Sequence, residues 1–152
     1  MTVHAAARRH DRLQALAAES GCIPHVLDVT DAPAVQALVA EIGTIDILVN
    51  NVGASPSRNF LYMDDADWEQ LFQLNMMSAV RCTRHVLPRM RAQQWGRIVM
   101  ISTVGALYPN AALIDYAATK SAMISTAKAL AGKYGQDGVL VNSILPGLIH
   151  TA

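Results

Sequence analysis

Apolar runs of strand length alternate with amphipathic stretches of helix length along this 152-residue chain, and few folds tolerate that alternation. A strand that returns parallel to its predecessor needs a crossover of a dozen or more residues, and a helix supplies one. The pattern therefore predicts successive βαβ units. Residues 2–7 read as a first strand. The stretch 8–20 follows as a helix with Leu13, Leu16 and Ala17 on one face and Gly21 as its C-cap. A second strand spans 23–27, with Pro24 at its start. Thr30 or Asp31 caps the next helix, Pro33 sits in its first turn, Val35, Leu38, Val39 and Ile42 share a face, and Gly43 closes it. The run 45–49, interrupted only by Asp46, suits a strand buried on both faces.

After a polar loop over 51–57, Asp64–Gln94 reads as one long helix. Asp64, Asp65 and Asp67 lie at its positive end and Arg89 and Arg91 near its negative end, and Pro88 is expected to kink or shorten it. Strands at 97–102 and 139–145 flank a helix over 115–134. The expectation is one α/β domain over residues 1–152, a parallel sheet with helices on both faces. Ligands in such folds bind beyond the carboxyl ends of the strands.

Composition narrows the function. With 52% hydrophobic and 16% charged residues the chain is not a disordered one. Twelve basic side chains balance twelve acidic ones and are scattered, so no field draws a nucleic acid. No run approaches the ~18 apolar residues that span a bilayer, and Met1 is followed by no secretory segment. Cys22 and Cys82 lie far apart, and the five histidines show no ligand spacing. Neither a disulfide framework nor a metal site is expected, and a reducing cytoplasm fits.

Four polar or glycine-bearing segments fall at strand ends: Asp28-Val29, Asn50-Asn51-Val52-Gly53, Ser102-Thr103 and Pro146-Gly147. Turn chemistry alone accounts for any one of them. Tyr116 and Lys120 change the balance, because four residues on a helix place them one turn apart on one face. A phenol beside an ammonium is suited to proton transfer: the positive charge favours the phenolate and brings tyrosine toward the working range. Ser102 adds a hydroxyl that could hold a carbonyl oxygen.

Asn-Asn-Val-Gly after a strand, Asn75 midway along the following helix, Ser102 after the next strand, Tyr-x-x-x-Lys fourteen residues on and Val-Asn-Ser-Ile-Leu-Pro-Gly after the last strand together resemble the short-chain dehydrogenase/reductase family. The likeness is greatest to its carbonyl-reductase branch, of the 3-oxoacyl-carrier-protein reductase kind. It implies a doubly wound, Rossmann-like sheet and hydride transfer between NAD(P) and a carbonyl or secondary alcohol. On this resemblance Tyr116 is the general acid or base, Lys120 tunes it and binds the nicotinamide ribose, and Ser102 polarises the substrate carbonyl. Asn75 holds a relay water on its backbone carbonyl. Asp28 and Val29 contact adenine, Asn50, Asn51 and Gly53 brace the sheet and lie along the adenine ribose, and Pro146, Gly147, Ile149 and Thr151 edge the nicotinamide. Arg8 or Arg9 stands where the adenosine 2′-phosphate is read, which favours NADP, with NAD as the alternative. A homodimer or homotetramer is implied.

Two departures stand beside the likeness. The family's first strand and its T-G-x-x-x-G-x-G turn are absent, since the nine glycines here are dispersed, and that turn is what seats a diphosphate on a helix N-terminus. The chain also ends where the family continues into a substrate lid and a last strand. The expectation is thus the middle part of a domain of about 250 residues. Loss of the central strand should either let its neighbours pair directly or leave apolar edges open. A second reading is a catalytically impaired relative that acts only through interactions, with Leu71, Leu74, Met77, Val80, Met123 and Leu130 as core or interface positions. A serine hydrolase is a third, weakened by the lack of a G-x-S-x-G elbow around Ser102.

Overall fold

The computed structural model describes residues 1–149, and these form five parallel strands and five α-helices in the α/β arrangement expected. Strand β1 (His4–Ala7) leads through helix α1 (His10–Ser20) to β2 (Ile23–Val26), which lies parallel to β1 with His4 opposite Ile23. Gly21 closes α1 with φ 71°, its N–H bonded to the Ala17 carbonyl at 2.8 Å. Helix α2 (Ala32–Ile42) is capped by Asp31, whose carboxylate accepts the Ala34 N–H at 3.1 Å. These local signals act where the sequence places them because capping and left-handed turns need few residues and no tertiary partner.

Strand β3 (Ile47–Asn50), β4 (Gly96–Ile101) and β5 (Val139–Ile144) form a second parallel sheet in sequence order, with Ile47 opposite Arg97 and Gly96 opposite Val139. Helices α3 (Asp65–Phe72) and α4 (Ser78–Ala92) carry the chain from β3 to β4, and α5 (Ile114–Tyr134) carries it from β4 to β5. Gly138, at φ 73°, makes the turn into β5 possible: a Cβ there would lie 2.0 Å from the Gln94 carbonyl oxygen. Met76, Val86, Met90, Met123 and Ala127 from the helical side meet Ile98, Met100, Val139 and Val141 from the sheet in one core.

Three expectations are corrected. The long helix is not continuous, since a π-helical turn at Gln73–Met77 separates α3 from α4. Pro88 does not shorten α4, which runs through it to Ala92. Both Pro88 and Arg84, whose carbonyl loses its helical donor, are exposed, so water can satisfy that oxygen. The strand at 45–49 begins at Ile47 and is buried on one face only: Ile47 and Val49 are 46% and 55% exposed. The same alternation continues across the sheet, where Ile98, Met100, Val139 and Val141 are covered while Leu140 and Ile144 are about half exposed. Helices α4 and α5 pack on one face, so the second face of this sheet stays open.

The two sheets share no strand pairing. Among the described residues β1 pairs only with β2 and β3 only with β4, so of the two outcomes anticipated for the missing central strand, open edges is the one found. Of the candidate core or interface positions, Leu71 and Met123 are buried, while Val80 and Leu130 are partly buried against the core. Leu74 and Met77 are half-buried.

An open apolar face with free strand edges favours association. An Ile47→Thr/Val49→Thr variant is expected to keep its unfolding free energy within about 0.5 kcal/mol of the parent per site, as exposed substitutions do. Sedimentation velocity should show it less self-associated than the parent at equal concentration.

Candidate active site

The carboxyl ends of β3, β4 and β5 and the first two turns of α5 converge on a cavity of about 410 Å³. Tyr116 and Lys120 both line it, as their spacing on one helix face requires. The Lys120 ammonium lies 6.0 Å from the centre of the Tyr116 ring and donates to the Ile101 carbonyl at 2.8 Å. Lys120 is only 3% exposed. Burial, which penalises the charged form, pushes its pKa down to about 8.

Asn75 is fully buried and sits in the π-helical turn. Its side chain accepts the Ala54 N–H at 2.8 Å and donates to the Ala54 carbonyl at 3.0 Å and to Thr119 Oγ1 at 3.0 Å. Thr119 in turn donates to the Tyr116 carbonyl at 2.8 Å. The amide thus ties the loop after β3 to the helix that carries Tyr116 and Lys120. Gly53 lets that loop approach closely: a Cβ there would meet Lys120 Nζ at 3.0 Å and Asn75 Oδ1 at 3.4 Å, so a larger residue would press on the lysine tip.

Ser102 is 4% exposed, and its hydroxyl donates to the Lys120 carbonyl at 2.9 Å. Thr103, beside it, accepts the Gly105 N–H at 3.2 Å. Asn51, Gly53, Ser102, Pro146, Gly147 and Ile149 line the cavity with Tyr116 and Lys120, and Asn75 adjoins it through Gly53 and Ala54. Asn50 does not line it. Its side chain is buried and its amide nitrogen donates to Thr83 Oγ1 and Met100 Sδ, both at 3.3 Å, so it braces β3 against α4 and β4.

Arg8, Asp28 and Val29 also lie outside the cavity, after β1 and β2. There the Thr30 hydroxyl and N–H, at 2.7 and 2.9 Å, hold the Asp28 carboxyl below its usual range, and the Arg8 charge adds to the effect. Thr151 lies outside the described residues. Among the described residues no group of three or more His, Cys, Asp or Glu could hold a metal, and no helix is long and apolar enough to cross a membrane.

The sequence reading missed Thr119, Ala54 and the Ile101 carbonyl. Thr119 carried one signal, since it stands three residues after Tyr116 on the same helix. The other two act through backbone atoms, which leave no trace in side-chain identity. The resemblance assigns the asparagine a role through its backbone carbonyl; what the structure shows is its side chain engaged on Ala54 and Thr119.

Comparison with known proteins gives a consistent picture. The family model described as short chain dehydrogenase matches residues 1–152. The uncharacterized oxidoreductase YvrD of Bacillus subtilis is 45% identical over 72% of this chain and 41% of its own length. The 3-oxoacyl-[acyl-carrier-protein] reductase FabG of Aquifex aeolicus is 40% identical over 70% of this chain and 43% of its own. The crystal structure of a short-chain dehydrogenase from Streptomyces avermitilis superposes with a TM-score of 0.92 at 32% identity, covering 99% of this chain and 58% of that one. The chain spans about half the length of the curated relatives it matches.

The buried lysine sets a pH dependence of stability. Between pH 8 and the ordinary lysine value of 10.5 the unfolded chain holds a proton that the folded chain has released. The unfolded state then binds more protons, so stability rises with pH through that window. Urea unfolding is expected to show a gain of roughly 1–3 kcal/mol between pH 8 and 10.5. A Lys120→Met variant should lack this rise.

Proposed function

The chain belongs to the short-chain dehydrogenase family, and from that premise we propose that it carries the proton-transfer half of an NADP-linked oxidoreductase site acting on a carbonyl or secondary alcohol, with NAD as the alternative cofactor. The observation that carries the proposal is the pairing of Tyr116 with a buried Lys120 in one cavity at the strand ends. Tyr116 gives its phenolic proton to the carbonyl oxygen in reduction, or takes it from the alcohol in oxidation. Lys120, positioned by the Ile101 carbonyl, places its positive charge where the phenol oxygen becomes negative. Asn75 holds the loop and the helix together, and its backbone carbonyl positions a water that returns the proton by way of Lys120.

The residues fit the nicotinamide-ribose end of a dinucleotide. The cavity is of the size of a small ring system, with Lys120 and Asn51 as polar groups and Pro146, Gly147 and Ile149 along its edge. A bound nicotinamide would supply or accept the hydride there. Asp28 and Val29 are assigned to the adenine, Arg8 to a 2′-phosphate and Asn50 to supporting the sheet beneath; Thr151, assigned to the nicotinamide edge, lies outside the described residues. No glycine cluster for the diphosphate is present in this sequence. A homo-oligomer and a small-molecule substrate accompany this reading.

A second reading, an impaired relative that acts only through interactions, draws on the open apolar face and the unpaired edges of β1 and β3. One titration separates the two. The chain mixed with NADPH or NADH is expected to enhance nicotinamide fluorescence and raise its own melting temperature, more with NADPH. Absence of both effects in a folded sample would leave the interaction reading. In an active sample, Tyr116→Phe is expected to lower kcat by at least 10²-fold, the scale of a positioned acid. Retained activity would sink the role given to Tyr116.

A further inference from the structure

In a parallel sheet every connection from a strand to the next helix lies at the carboxyl edge, and every return lies at the amino edge. The two edges of this molecule differ in kind. At the amino edge the turns 21–22, 43–46, 93–95 and 135–138 hold one exposed large hydrophobic side chain, Trp95. The connections after β1 and β2 are polar, with Arg8, Arg9, Asp28 and Thr30 exposed. The segments that follow β3, β4 and β5 are the exception. They carry Phe60–Tyr62, then Leu107 and Tyr108, then Leu148 and Ile149, each residue more than half exposed.

These are the same three segments that line the cavity. The first contributes Asn51, Gly53, Ala54 and Ser55, the second leaves the cavity at Thr103 and returns to it at Tyr116, and the third contributes Pro146, Gly147 and Ile149. The second and third are fastened together, since the Val104 N–H donates to the Pro146 carbonyl at 3.0 Å. Ser121 Oγ donates to the Ala106 carbonyl at 2.8 Å, which holds the stretch before Leu107 and Tyr108 on α5. Apolar side chains gathered around a concave site, and sparse elsewhere on the same edge, are what an apolar ligand requires.

Charge is nearly absent from these segments. Arg58 is the only ionic side chain within 51–63, 102–113 and 145–149, and it is paired with Asp67 at 2.5 Å. Asp64 and Asp65, at the start of α3, add negative charge. The one cation lining the cavity is Lys120, which is nearly buried and already donates to the Ile101 carbonyl. A carboxylate or phosphate entering here would lose its water and meet no further cation among the described residues, which is costly.

We propose that this site takes an uncharged ketone or secondary alcohol bearing a bulky apolar or aryl group. That group rests on Leu107, Tyr108, Leu148 and Ile149 while the reacting carbon faces Tyr116. The inference rests on the oxidoreductase reading above and narrows it, because it sets aside carboxylates and phosphate-bearing thioesters as substrates.

The test uses one aryl ketone with and without a charge, methyl 4-acetylbenzoate and 4-acetylbenzoate, together with acetoacetyl-coenzyme A as a phosphate-bearing thioester. Binding to the chain is read by saturation-transfer NMR and calorimetric titration, and turnover with NADPH or NADH. The ester is expected to bind roughly 10-fold or more tightly than either anion, the scale on which an apolar pocket discriminates. A Leu107→Ser/Tyr108→Ser variant should keep the parent's melting temperature, lose most of that preference, and raise the KM for the ester more than it lowers kcat. Binding of 4-acetylbenzoate or acetoacetyl-coenzyme A as tight as that of the ester, or no binding of the ester, overturns the inference and leaves the oxidoreductase reading standing. A variant that binds the ester like the parent but self-associates less makes the patch a contact between copies and overturns it too. An ester that binds but is reduced with neither cofactor overturns the oxidoreductase reading, and with it the place of the ketone as substrate.

Discussion

The end of β4 and the second turn of α5 are tied to each other twice, in opposite senses. Lys120 reaches across to the Ile101 carbonyl, and Ser102 reaches back to the Lys120 carbonyl, at 2.8 and 2.9 Å. Each side chain is nearly buried, so each bond forms in a low-dielectric setting where leaving it unmade would be costly. This reciprocal clasp places the ammonium beside Tyr116, and it spends the Ser102 hydroxyl in doing so.

A second fastening holds the loop from β3 against the same helix. Asn75 uses both amide protons and its oxygen on Ala54 and Thr119, and Thr119 passes the connection to the Tyr116 carbonyl. The π-helical turn sets Asn75 in the helix and marks the place where the regular hydrogen-bond ladder is broken, a feature that recurs at functional sites. Gly53 lets the loop come within contact of Lys120. The cavity is thus bounded by backbone brought close through two polar side chains, with the apolar core beneath α4 and α5 as the rigid support.

The β1–β2 pair and the three-stranded sheet each keep a free edge, and the three-stranded sheet presents Ile47, Val49, Leu140 and Ile144 to solvent. Arg8, Asp28 and Val29 stand on the first of these units and the proton-transfer residues on the second. A dinucleotide would have to bridge them, and the glycine turn that usually fixes its diphosphate is missing from this sequence. The cavity lined by Tyr116 and Lys120 lies wholly within the second unit.

Much of this was legible from residues alone. Strand–helix alternation, the Asp31 cap, the Gly21 turn and the Tyr116–Lys120 pair are local patterns, governed by periodicities of two and 3.6 residues and by capping groups a few positions apart. Those determined the α/β class, the order of the elements and the convergence of Asn51, Gly53, Ser102, Tyr116 and Lys120 at the strand ends. Tertiary structure alone decided the rest. It decided that Asn50 is fastened to Thr83 and Met100 away from the cavity, that the long helix breaks at Gln73–Met77, that 47–50 is covered on one face, and that the Ser102 hydroxyl is bonded to the Lys120 carbonyl. Each of these depends on which surface a neighbouring element covers or which backbone carbonyl lies within 3 Å, and such distances between residues far apart in the chain are set by packing, which residue identity and spacing do not encode.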